Sequence, residues 1–545
     1  MSRSANADIE PAWISSDPRQ GEVYAKFLKE MSGQWVWLYR SVGNIGGLST
    51  GQYSALLSPN RAQTALNDPG WEVHIGSGGY GFSQGYADGD TVTQYERFPG
   101  EGTELLVLRR DFHGVRAAES EIVEELRLLF NLWEDRATRT YYYFDDAGDP
   151  VKAVVVDGDG VRALTNLVRR YQAAKQMHLA LYLDSTHFSH DLDGQKQQWE
   201  HPDHNNAVIY YFSDDSGVTG KPFSRLFGKR LFSPPAIEVS ELWPFEKPEQ
   251  HESFLIGADE NGKEVSNTSN PDELANYFGA NRDSPHYLTP VYFRREVLNK
   301  YYADTDRYSI EDGYLRCAAL WGLRLDNDQP GHVMVFLGDL GRDIPYSEAR
   351  YWRSFNILPP EEGPSETLVR RAFLGQFTDP KSMELRFPRA YRETNEAWQA
   401  AFGEPLFQRL HDDDRHVMSK LHIPISDGQA EFDEQILYLA KLLVDSLNEV
   451  AITGGMAKGP KDEKGLAKLQ RFLVGRGVAD ARSMLGPLAS IQGLRSRGAA
   501  HRKGSSFDIK AALGDLDRRE GFKKLLTDAV GTLEALKKLS EEQRT

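Results

Sequence analysis

Apolar residues over the first 230 positions fall into short runs broken by glycines and polar clusters. WVWLYRSVGNIGGLS, WEVHIGSGGYGFSQGY and TELLVLRRDF predict strands separated by loops. Residues 119–135 carry Ile122, Val123, Leu126, Leu129, Phe130 and Trp133 at helical spacing and predict a helix. TRTYYYFDD, KAVVVDG and LALYLDS predict further strands, with a helix over 161–176 between two of them. Strands and helices mixed in this way predict an α/β or α+β body.

Turn and breaker residues crowd 231–287, in SPP, WPFEKPEQ, NTSNPDE and RDSPHY, and predict a domain boundary there. TPVYFRREVLNKYY, YLRCAALWGLRLDN and HVMVFLGDL follow as a second strand-rich stretch. ILPPEEGPSET interrupts it, and short helices are predicted around 366–377 and 391–402.

From Asp427 the period becomes helical and stays so. Phe432, Ile436, Leu439, Leu443, Leu447 and Val450 recur every three or four places and predict one buried stripe. Gly454 and Gly455 end that helix. A second helix carries Leu466, Leu469, Phe472 and Leu473. A third carries Val478, Met484, Leu485, Leu488, Ile491 and Leu494, and a fourth, over 517–539, carries Phe522, Leu525, Leu526, Ala529, Leu533 and Leu536. The expected fold is therefore multidomain: a mixed α/β (or α+β) N-terminal body and an all-α C-terminal helical bundle. The expected boundaries are 1–232, 233–426 and 427–545. With 545 residues the chain exceeds what one core normally spans.

Charge sharpens this division. The chain has a net charge of −16, but 451–545 holds 19 Lys and Arg against 11 Asp and Glu, while the preceding 450 residues hold 45 against 69. An acidic body carries a basic tail domain, and only the tail suits a polyanion. The lone cysteine, Cys317, excludes an internal disulfide framework and a cysteine-based metal centre within one chain. With no apolar run of eighteen residues and no apolar core behind the N-terminus, a cytoplasmic protein without membrane contact is expected.

In the basic tail, LRSRGAAHRKGSS sets Arg495 and His501 apart by five intervening residues, at the end of the third helix. Residues 430–545 resemble the HEPN superfamily of small helical domains, whose catalytic members carry arginine, often a polar residue, and then histidine after four to six residues. Here Arg495, Ser496 and His501 occupy those places. Asn is the commoner residue at the position of Ser496, and a gap of four is commoner than five. The resemblance implies metal-independent RNA cleavage without a cofactor, with Arg495, Ser496 and His501 catalytic, in a homodimer or higher homo-oligomer whose two motifs share one cleft. Arg497, Arg502 and Lys503 would contact the RNA. It also implies a role in bacterial antiphage defence or a toxin-type system, with the N-terminal body as sensor or regulator. The alternative is a non-enzymatic dimerisation or nucleotide-binding component.

The chemistry is concrete. Histidine transfers protons near neutrality, and the guanidinium fork matches phosphate oxygens while staying charged.

Three weaker signals stand beside this one. His187, His190, His201 and His204, with Asp191, Asp193 and Asp203, could ligate a metal or simply belong to a solvated, turn-rich loop. GSGGYGFSQG lacks the lysine of a phosphate-binding loop and predicts a flexible loop. Asp339 and Asp343 follow the strand HVMVFL on an expected loop, where α/β proteins often put active residues. The strings EDGYLRCAALWGL and GDLGRDIPYSEARYW are similar to those of an uncharacterised group of bacterial proteins.

Overall fold

The computed structural model describes residues 11–73, 80–97, 101–192, 197–201, 206–215, 221–496 and 516–543. The chain divides into two compact units, one over 1–145 and 149–248, the other over 146–148 and 249–545.

The first unit is built on one large antiparallel sheet. Its path runs Gln197–Glu200, Ala207–Asp214, Phe223–Phe232, His178–Phe188, Leu48–Leu57, Trp35–Ile45, Gly160–Leu164, Pro150–Asp157, Thr140–Phe144 and Trp133–Asp135, with Thr103–Leu105 pairing the far end of Leu48–Leu57. Five consecutive residues, Leu179 to Leu183, are buried, so this strand is covered on both faces. Antiparallel pairing throughout makes the body α+β. The helix Pro18–Leu28 starts on Asp17, whose side chain accepts from the Gln20 N–H at 3.2 Å. Trp13, just before it, stacks on Tyr211 of the sheet with centroids 4.1 Å apart.

Two expected helices are corrected here. Over 119–135, Glu119–Ile122 is a strand paired with Val107–Arg110, Glu124–Leu129 is a short helix, and Trp133–Asp135 is the sheet's last strand. Over 161–176, the first residues complete the strand Gly160–Leu164, and the helix is Thr165–Lys175. In both places strand pairing overrides local spacing. The glycine-rich segment is corrected too: Tyr80–Ala87 is a strand paired with Asp90–Arg97, while residues 76–79 lie outside the described residues.

The second unit opens with the hairpin Ser253–Ala258 and Glu264–Thr268. Two three-stranded sheets follow, Pro290–Arg294 between His332–Phe336 and Asn356–Ile357, and Tyr308–Glu311 with Tyr314–Cys317 and Trp321–Arg324. Phe293, Tyr301, Leu323, Val335 and Trp352 lie in their core. A separate helical core runs from Phe387 to Leu536. It draws in the helix Met383–Phe402, which starts upstream of Asp427, and Thr394 Oγ1 of that helix donates to the Leu533 carbonyl at 2.9 Å. Buried Arg295 and Glu384 form an ion pair between the two cores.

The expected stripe from Phe432 to Val450 is buried at five of its six positions, and Val450 is 81% exposed. The helix is not continuous. Gln429–Ala440 runs into a π-helical turn, Lys441–Asp445, Leu447 makes a single bridge with Phe407, and Asn448 caps a new helix, Glu449–Thr453. The wider turn and the restart change the phase, and Val450 turns to solvent. The later helices are Gly465–Gly475, Ala481–Met484, Gly486–Leu494 and Arg518–Glu542. No described helix is long and apolar enough to cross a membrane.

Candidate functional site

The helix Gly486–Leu494 buries Leu488, Ile491 and Leu494 against the helical core. Arg495 follows at once, and Arg495 and Ser496 are π-helical. Arg495 donates through Nη1 to Asp445 Oδ1, and Asp445 ends the π-helical turn Lys441–Asp445. The contact joins residues fifty positions apart. π-Helical turns recur at functional sites because the extra residue re-aims the side chains beyond it. At the opposite end of its turn, Lys441 pairs with Asp414 at 2.5 Å.

Arg495 and Asp445 are about one-third exposed, at 34% and 37%. A pair this open adds little stability. Its consequence is orientation: Asp445 fixes one edge of the guanidinium, and a guanidinium has five N–H donors in a rigid fork. Exposed Ser496 donates its hydroxyl to the Gln492 carbonyl at 2.8 Å. Arg497, His501, Arg502 and Lys503 lie outside the described residues. The structure therefore brings Arg495 and Ser496 to one helix end and adds Asp445, which the sequence did not single out. Only its place on the stripe-bearing helix, two residues before Leu447, was visible in advance.

The histidine cluster divides. His187 ends up buried on the strand His178–Phe188 rather than in a solvated loop, with Nδ1 2.8 Å from Asp17 Oδ1. Asp17 also accepts from the Ser224 hydroxyl. His201 Nδ1 lies 3.0 Å from the Tyr24 hydroxyl, and His190 is exposed. His204, Asp193 and Asp203 are outside the described residues. Among the described residues no three metal-ligating side chains converge.

Asp339 is also corrected, from loop to helix: it stands in the first turn of Leu337–Arg342. Asp343 stands just past that helix, as expected of a loop residue. Tyr287 donates its hydroxyl to Asp339 Oδ1 at 2.8 Å, and Arg342 donates to the same oxygen at 3.0 Å. Arg342 also forks onto Asp343 at 2.6 and 2.7 Å. Burial pushes the Asp339 carboxyl up, against the lowering effect of Tyr287 and Arg342.

No protein family, curated protein or solved structure matches this chain.

Proposed function

We propose that the protein is a metal-independent endoribonuclease of an antiphage defence or toxin-type system. Its reactive centre lies at the end of the Gly486–Leu494 helix, and its acidic N-terminal body acts as sensor or regulator. The observation that carries this reading is Arg495 held on the surface by Asp445, one residue past a buried stripe, in the motif that continues to His501. In the proposed reaction Arg495 binds a non-bridging oxygen of the scissile phosphate and His501 handles the proton. The 2′-oxygen attacks phosphorus as its proton leaves, and the 5′-oxygen departs and takes up a proton. The products are a 2′,3′-cyclic phosphate and a 5′-hydroxyl. Ser496 stands beside the phosphate, while Arg497, Arg502 and Lys503 attract the backbone in a salt-dependent way. Two copies supply one cleft, so the active form is a homodimer in the cytoplasm.

The ion pair also favours a second reading. Asp445 neutralises Arg495 within the same helical region, as in a non-enzymatic dimerisation or nucleotide-binding component. Incubating the purified protein with total RNA in EDTA separates the two. The ribonuclease reading expects cleavage by wild type, loss in Arg495→Ala and His501→Ala, and a partial loss in Asp445→Asn. Intact RNA with the wild-type dimer supports the second reading.

A further inference from the structure

The second unit holds a cavity of about 670 Å³ between the strands Trp321–Arg324 and His332–Phe336 and the helices Leu337–Arg342 and Glu366–Phe373. Its size is that of small-molecule sites, roughly 300–1,000 Å³. Four carboxylates line it. Asp326 accepts from the Ser365 N–H at 2.6 Å. Asp328 accepts from the Lys381 and Ser382 N–H groups at 2.9 and 2.6 Å and from the Thr367 hydroxyl at 2.5 Å. Asp312 accepts from Arg371 at 2.8 Å.

Asp339 differs from Asp326 and Asp328 in keeping one oxygen without a donor among the described residues, and from the partly exposed Asp312 in being buried. It is 5% exposed, and both Tyr287 and Arg342 donate to Oδ1, while no group among the described residues donates to Oδ2. Arg324 also lines the cavity, is exposed, and forms no hydrogen bond or ion pair among the described residues. Aromatic rings complete the set. Phe336 and Phe373 meet edge to face at 6.5 Å, and Phe373 and Tyr277 remain 56% and 79% exposed.

We propose that this cavity binds a nucleoside phosphate: the amino group of the base donates to Asp339 Oδ2, the base lies against Phe336 and Phe373, and the phosphates meet Arg324. No simpler ligand uses all three features. An inorganic anion would leave the carboxylate facing it unfavourably, and an apolar ligand would offer no polar group to Asp339 Oδ2 or to the Arg324 guanidinium. A divalent cation would find Oδ1 already occupied by a guanidinium. Stacking tolerates any base, so selectivity rests on the amino group. The proposal is independent of the ribonuclease reading.

Calorimetric titration of the full chain tests it, with ATP, GTP and CTP as amino-bearing probes, UTP as the base without that group, and inorganic triphosphate as the ligand without a base. At least one amino-bearing nucleotide is expected to bind, with UTP and inorganic triphosphate weaker. Arg324→Ala should weaken binding roughly tenfold or more, as expected for a lost charge-assisted hydrogen bond. Asp339→Asn should reduce the preference over UTP. If Asp339→Asn does not fold, exposed Arg324 and Phe373 still supply variants, because neither Arg324→Ala nor Phe373→Ala touches a buried network. The proposal is overturned by no binding of any nucleotide. It is equally overturned if UTP and inorganic triphosphate bind as tightly as the amino-bearing nucleotides, or by affinity unchanged in both Arg324→Ala and Phe373→Ala.

Discussion

Lys229 has no exposed surface, although it sits on the sheet strand Phe223–Phe232 with a long polar side chain. Its ammonium meets Glu72, and Tyr182 donates its hydroxyl to the other Glu72 oxygen at 2.7 Å. Burial and the neighbouring Glu72 push the Tyr182 hydroxyl well above its ordinary pKa, so it remains a donor. Removing one partner of a buried pair leaves the other charge uncompensated, at a typical cost of about 3–5 kcal/mol. Lys229→Ala should lose about that much in urea unfolding, and Lys229→Met combined with Glu72→Leu should recover most of it. Equal stability of Lys229→Ala and wild type would show that the pair is not buried as described. The Arg495–Asp445 pair is the opposite case: it is open to solvent, and its importance lies in direction rather than stability.

Among the elements, the helix Gln429–Ala440 depends on one side chain in its first turn. Glu431 accepts from the Ile425 and Ser426 N–H groups at 2.7 and 3.1 Å, from the Ser426 hydroxyl at 2.7 Å, and lies 3.3 Å from His422 Nε2. Burial pushes its carboxyl up, but these bonds outweigh burial and hold it at about 2. A depressed pKa gives stability that is fully present above the ordinary glutamate value of about 4.3 and is lost as pH falls through the folded value. Acid titration of unfolding should therefore show wild type losing more stability than Glu431→Gln between about pH 4.3 and 2. Parallel curves would contradict the assignment. Much of this helical region was legible in the sequence, because Leu466, Leu469, Phe472, Leu526 and Leu533 all face one core. The pattern failed where strand pairing or a change of helical phase decides the structure. Nothing local reveals that Glu119–Ile122 pairs with Val107–Arg110, or that a π-helical turn changes the phase before Val450. Pro388, inside Met383–Phe402, marks a break to local reading, and the helix starts eight residues before the expected 391. The candidate site was half legible: Arg495 and Ser496 came from the motif, whereas Asp445 needed a contact across fifty residues.

At the scale of the whole molecule, the acidic 1–450 stretch and the basic 451–545 stretch divide the labour in the proposed ribonuclease. Only the basic part attracts a polyanion, so cleavage should slow as salt rises. A composite cleft needs two copies, and light scattering at micromolar concentration should give the mass of at least a dimer. A monomer that still cleaves RNA would contradict the shared site. The most direct test of the central claim is the RNA product pattern in EDTA from wild type and His501→Ala, at equal concentration. A placed histidine typically contributes about 10²- to 10⁴-fold. The expected result is wild-type fragments ending in 2′,3′-cyclic phosphate or 3′-phosphate and a loss of that order in the variant. Cleavage equal in both proteins, or abolished by EDTA in wild type, would contradict a metal-independent site at Arg495 and His501.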